Sequence, residues 1–214
     1  MSNWVATLPA LFEGIKLTLE VFSLTLLLSL PLGVVVALFR IAPWKILRTA
    51  TGGFIWLMRG TPLLLQLLFV YYFLPTIGIK ISDFPSAIIT FVLNYAAYFA
   101  EIFRGGIQSI DRGQYEAART LGMDYPQTMR RIILPQMMRL VLPPVTNETI
   151  TLVKDTSLIY ILAMNDLLRV TRSMVQREFD LTPFLIAGSF YLLFTLILTW
   201  LFNHLENRYR IYDR

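Results

Sequence analysis

Val21-Phe-Ser-Leu-Thr-Leu-Leu-Leu-Ser-Leu-Pro-Leu-Gly-Val-Val-Val-Ala-Leu-Phe39 passes without a single charged residue. That is close to the ~20 residues a helix needs to cross the hydrocarbon core of a bilayer. Pro31 and Gly33 fall inside the run, which membrane helices tolerate. Three further runs share the property: Gly60 to Ile79, Phe84 to Ala100, and Leu181 to Asn203. In lipid every backbone N–H and C=O must find a partner within the protein, so spans this apolar are helices. A β-barrel would show ~10-residue segments of alternating polarity, and none is present. The expectation is an all-α membrane protein with about five transmembrane helices. The composition agrees: 56% of the 214 residues are hydrophobic and 15% charged.

Outward from the first run, Met1 to Leu19 reads as a short amphipathic lead-in, with Trp4 at the interface and Phe12, Glu13 and Lys16 behind it. The first span ends near Arg40. The second, about Gly53 to Leu74, contains Arg59, Pro62 and Gln66. The third ends near Phe103. A fourth apolar stretch, Leu140 to Ala163, is interrupted by Glu148, Lys154 and Asp155. Met164 to Thr182 connects it to the fifth span, which ends at Asn203. No cleavable signal peptide is expected, because the first apolar run starts late and no small-residue cleavage site follows it.

Charge sets the orientation. With the N-terminus outside, the inner segments hold Arg40, Lys45, Arg48, Arg104, Arg112, Arg119, Arg130, Arg131, Arg139, Arg208, Arg210 and Arg214. Beyond the lead-in with its Lys16, the outer segments hold Lys80, Arg169, Arg172 and Arg177. The positive-inside rule therefore favours N-out, C-in, and reads the net charge of +5 as basic cytoplasmic loops rather than affinity for nucleic acid. The absence of cysteine excludes disulfides and thiolate metal sites.

The long polar segment, about 104–139, carries the most specific pattern. Glu116-Ala117-Ala118 is followed by Gly122, then Ile132, then Leu134-Pro135. Tyr115 to Leu121 suits a short helix. Gly122 supplies a left-handed stop. Asp124 and Gln127 form a capping-box pair for a second helix, with Pro126 in its first turn. Pro135 is expected to end that helix. The product is a helical elbow between two spans.

This pattern resembles the cytoplasmic EAA loop of ABC importer permeases. Arg59-Gly60-Thr61-Pro62-Leu63, Ala100-Glu101-Ile102-Phe103-Arg104-Gly105-Gly106-Ile107 and Lys154-Asp155-Thr156-Ser157-Leu158 resemble segments of the polar amino acid branch. The resemblance implies a type I importer permease fold, with 1–214 forming one transmembrane permease domain in a bacterial inner membrane. It implies that Glu116, Ala117, Ala118, Arg119 and Gly122 meet an ATP-binding subunit. Two copies of that subunit, a second permease chain (the same or a similar one) and an extracytoplasmic amino-acid-binding protein complete the assembly. ATP and Mg belong to the partner subunit; no cofactor is expected on this chain, which lacks a G-x-x-x-x-G-K-[ST] phosphate loop.

Intramembrane polar residues are costly and mark a cavity or a partner. Glu148, Thr151 and Asp155 share one helix face, with Asn147 beside them; Asn94, Tyr98 and Glu101 share another. They suit a translocation path, and equally suit polar pairs that hold a bundle together. Two acids on one face favour a cationic side chain, hence arginine, lysine or histidine, with glutamine as the alternative. Lys154 or a helix N-terminus would serve the substrate carboxylate. Arg59 reads as a residue near the cytoplasmic end of its span, snorkelling or forming a gate with Pro62. His204, the only histidine, reads as interfacial. A secondary transporter would show inverted repeats, which are absent here. A channel would have no reason to carry the elbow.

Overall fold

A computed structural model describes residues 4–210, with side chains for 8–208. The interfacial role expected of Trp4, and the basic Arg210 and Arg214, fall outside the described side chains. Among the described residues the chain is helical, joined by short turns. The amphipathic lead-in is not a separate piece. No backbone break occurs between it and the first span, so both form one 38-residue helix, α1 (Trp4–Ile41). At 1.5 Å per residue this is roughly 57 Å long, well beyond a hydrocarbon core of ~30 Å.

The second expected span is broken. α2 (Lys45–Gly60) stops at Thr61, whose backbone is extended because the ring of Pro62 disfavours a helical residue before it. The chain restarts as α3 (Leu63–Leu68) and runs on through one π-helical turn and one 3-10 turn to Ile77, at 103° to α2. α4 (Asp83–Gln108) is the third span.

The cytoplasmic elbow follows. α5 (Arg112–Thr120) ends in a Schellman closure: Gly122 adopts φ +75°, its N–H bonds the Arg119 carbonyl, and the Met123 N–H bonds the Ala118 carbonyl. α6 (Tyr125–Thr128) begins with the reciprocal Asp124–Gln127 capping box. Pro135 does not end this helix. The chain widens into a π-helical segment at Met129–Ile133, where the Leu134 N–H bonds the Met129 carbonyl. Pro135 thereby falls in the first turn of α7 (Leu134–Asp155), where its missing N–H is not needed.

A 3-10 segment, Thr156–Leu162, prolongs α7. The connector expected from Met164 to Thr182 is itself largely helical, as α8 (Leu167–Glu178). α9 (Thr182–Arg210) closes the described chain. Among the described residues three helices are long and apolar enough to cross a membrane, or four if the bent α2–α3 pair is one span. α7 holds most of the fourth apolar stretch of the sequence, and its Arg139, Glu148, Lys154 and Asp155 lower its hydropathy.

α1 and α4 form the tightest seam. A Cβ at Gly33 would come within 2.7 Å of Phe99 Cβ and 3.2 Å of the Ala100 nitrogen and the Ala96 oxygen. Ala96, Phe99 and Ala100 are fully buried there. Around them Val21, Phe91, Tyr95, Val145, Leu152, Ile159 and Leu198 build the main core from α1, α4, α7, the 3-10 segment after α7, and α9.

Candidate functional site

The break between α2 and α3 leaves carbonyls at the end of α2 without helical partners, a serious cost in a membrane. The Thr61 hydroxyl takes that of Leu57, and two amides take that of Met58. Gln66 Nε2 donates to the Met58 carbonyl at 2.9 Å and to Thr61 Oγ1 at 2.7 Å. Asn94 Nδ2, reaching from α4, donates to the same Met58 carbonyl and to Gln66 Oε1, each at 3.0 Å. The break is therefore held open by a polar lock, and Asn94 has a structural task.

Beside this lock lies a cavity of about 600 Å³, lined by Arg59, Thr61 and Pro62 from the break, Asn94, Tyr95 and Tyr98 from α4, and Glu148, Thr151 and Asp155 from α7. Asp155 Oδ2 accepts a hydrogen bond from the Tyr95 hydroxyl at 2.8 Å. The Arg59 guanidinium stands 5.2 Å from the centre of the Tyr98 ring, over its face. Glu148 has no hydrogen-bond partner among the described residues. The cavity thus offers a free carboxylate, a hydrogen-bonded carboxylate, one guanidinium and two phenols.

Several expected residues converge here: Glu148, Thr151, Asp155, Asn94, Tyr98, Arg59 and Pro62. Others do not. Asn147 is exposed and outside the cavity lining, one turn before Thr151, whose hydroxyl donates to its carbonyl. Glu101 lies below the cavity lining and pairs with Arg104 in the next turn of α4. Lys154 is exposed and is not part of the cavity lining. Arg59 stands in the last turn of α2, about 21 Å along the axis from Lys45, and lines the cavity at the break. Tyr95 and Gln66 were not anticipated as site residues. Tyr95 was findable, since it shares a helix face with Tyr98 at i, i+3.

On the elbow, Glu116, Ala117, Arg119 and Gly122 are exposed. Ala118 is not: it is fully buried inside the elbow and cannot meet another protein. Leu121 and Tyr125 are instead the large apolar side chains left in solvent, at 78% and 68% exposure.

Residues 29–211 match the family described as binding-protein-dependent transport system inner membrane component. The chain belongs to this family and is the permease subunit of an ABC importer, of the polar amino acid branch. It is 34% identical to the arginine transport system permease protein ArtQ of Bacillus subtilis (strain 168), over 99% of this chain and 98% of that one. It is 36% identical to the glutamine transport system permease protein GlnP of Escherichia coli (strain K12), over 98% of each. A crystal structure of an amino acid ABC transporter with histidines superposes with a TM-score of 0.89 at 32% identity, over 96% of this chain and 97% of that one. The MetNI methionine ABC transporter, with a TM-score of 0.76 at 19% identity, shares the fold.

Proposed function

We propose that this chain carries polar amino acids across the inner membrane through the cavity at the α2–α3 break, with cationic amino acids preferred. The observation that carries this reading is the pair Glu148 and Asp155 on one wall of the cavity, opposed by a single guanidinium. Fully ionised, the lining holds one more negative than positive charge, which a cationic amino acid cancels. Tyr95 and Tyr98 add hydroxyl and ring contacts for a polar, elongated ligand. The relatives ArtQ and GlnP, named for arginine and glutamine transport, support the class. Glutamine is the second reading, favoured by the similar identity to GlnP.

In this reading the chain is a transport component and hydrolyses no ATP. Two ATP-binding subunits, carrying ATP and Mg, dock on the elbow through Glu116, Ala117, Arg119 and Gly122, with exposed Leu121 and Tyr125 supplying apolar contact. A second permease chain and an extracytoplasmic binding protein complete the importer. The N-terminus lies outside and the C-terminus in the cytoplasm, so that the basic elbow meets the ATPase. Arg59 and Pro62, at the break, act as the gate.

Glu148→Gln tests the cavity, since it keeps shape and removes charge. In proteoliposomes holding the whole complex and saturating binding protein, arginine uptake should fall at least roughly tenfold more than glutamine uptake, equivalent to ~1.4 kcal/mol of selectivity. Equal losses for both substrates would make Glu148 structural. An unchanged rate would remove it from the path.

A further inference from the structure

The cavity contains a cation of its own, and its surroundings suggest what it does. Arg59 makes no ion pair among the described residues; it is parked over the Tyr98 ring at the C-terminal end of α2. That end of a helix favours a positive charge, and so does the ring face. Its charge reaches two carboxylates in different places. One is Glu148, across the cavity; the other is Glu101, one turn beyond Tyr98 on α4 and outside the lining. Glu101 also feels Arg40 and is bonded to Arg104, so a basic cluster already surrounds it at the far end of the site. A carboxylate facing a cavity within the membrane is costly unless a positive charge is near.

We propose that Arg59 is a resident counter-ion: it offsets Glu148 while the cavity is empty and swings toward Glu101 when a cationic amino acid takes its place. This deepens the cavity reading above and rests on it. The exchange keeps Glu148 compensated throughout a transport cycle. It also sets a threshold, because a ligand must supply its own cation to displace Arg59. A neutral amino acid binds without moving it. Arg59 is thus a specificity-determining residue that acts by competing with the substrate, and Tyr98 is the surface over which it turns.

The test uses the purified permease–ATPase complex in lipid nanodiscs, without nucleotide or binding protein, titrated with labelled arginine and with labelled glutamine. Arg59→Gln should tighten arginine binding by roughly five- to tenfold and change glutamine binding less than about twofold, within the usual span of site-to-site coupling. Arg59→Lys, which keeps the charge, should stay near wild type. In a Glu148→Gln background the arginine gain from Arg59→Gln should vanish. Glu101→Gln removes the alternative acceptor and should weaken arginine binding by roughly threefold, which tests the exchange even if the Arg59 variants fold poorly. Loss of both ligands in Arg59→Gln would assign Arg59 to the substrate carboxylate and overturn the proposal. No change in Arg59→Gln or in Glu101→Gln would overturn it as well. If Glu148→Gln alone leaves arginine binding intact, the cavity reading itself is what fails.

Discussion

α4 has two working faces, and they follow opposite rules. Toward α1 it presents Ala96, Phe99 and Ala100, and Gly33 of α1 approaches its backbone so closely that no Cβ fits. Toward the α2–α3 break it presents Asn94, Tyr95 and Tyr98, which carry hydroxyls, an amide and ring faces into a cavity. The first face gains from dispersion between tightly packed small side chains, the main attraction available when lipid is as apolar as the protein. The second gives up that packing and is held by hydrogen bonds at 2.8–3.0 Å to Asp155, Met58 and Gln66. One rigid helix thus anchors the bundle with one face and shapes the permeation route with the other. Substitutions on the seam should cost stability, and charge changes on the cavity should alter selectivity.

The strongest challenge to this division is Gly33→Val. A β-branched side chain would force the α1 and α4 backbones apart, at a cost of about 3 kcal/mol. The expected result is a sharply lowered thermal midpoint in detergent, with poor recovery of folded protein. Near-normal stability would show that the seam is looser than its geometry.

A second variant separates buried carboxylates by role. Asp166 lies outside the spans, fully buried, where it caps α8 by accepting from the Leu168 and Arg169 N–H groups at 3.1 Å. Gly14 of α1 packs on the backbone of Asp166 and Leu167, so this corner continues the tight contacts of α1. Burial pushes the Asp166 carboxyl up from 3.8 to about 6, opposed in part by those backbone hydrogen bonds. A raised acid favours the protonated folded state. Its stabilising contribution is full below about pH 4 and is lost as pH rises through about 6. Asp166→Asn keeps the cap and removes the charge. It should raise stability at pH 8 by roughly 1–3 kcal/mol and flatten the change between about pH 4 and 6, read as thermal midpoints across pH. Transport selectivity should stay as in wild type, in contrast to Glu148→Gln. A loss of stability at pH 8 would mean the carboxylate is held charged.

The smallest expected effect probes the lock at the break. Asn94→Ala removes two hydrogen bonds, yet Gln66 still reaches the Met58 carbonyl. The cost should be about 1 kcal/mol, and amide hydrogen exchange should rise at residues 58–66 before it rises on α1. Uniform exchange along the chain would place Asn94 in the global core instead.

Local interactions were readable in the chain. The Val21–Phe39 run declared a membrane helix, and Gly122, Asp124 and Gln127 declared the elbow, because a left-handed stop and a capping box involve residues within a few positions of one another. Pro62 signalled a disturbance in the second span, though not its 103° size. Pro135 misled, because a π-helical turn absorbs its missing N–H just as well as a helix end does, and the choice depends on α7 continuing into the bundle. Ala118 belongs inside the elbow for a similar reason: helix formers in a short amphipathic segment do not declare which face the rest of the chain will cover. The cavity was half legible. Glu148, Thr151 and Asp155 share a face by spacing alone, but Arg59 joins them only because α2 breaks just beyond it, and Tyr95 meets Asp155 across 60 residues of chain. Sequence determined which segments are apolar and where the helices must stop, since those are short-range energies. Only the tertiary structure decided which polar groups face each other, since a partner for a buried charge is chosen by the packing of whole helices.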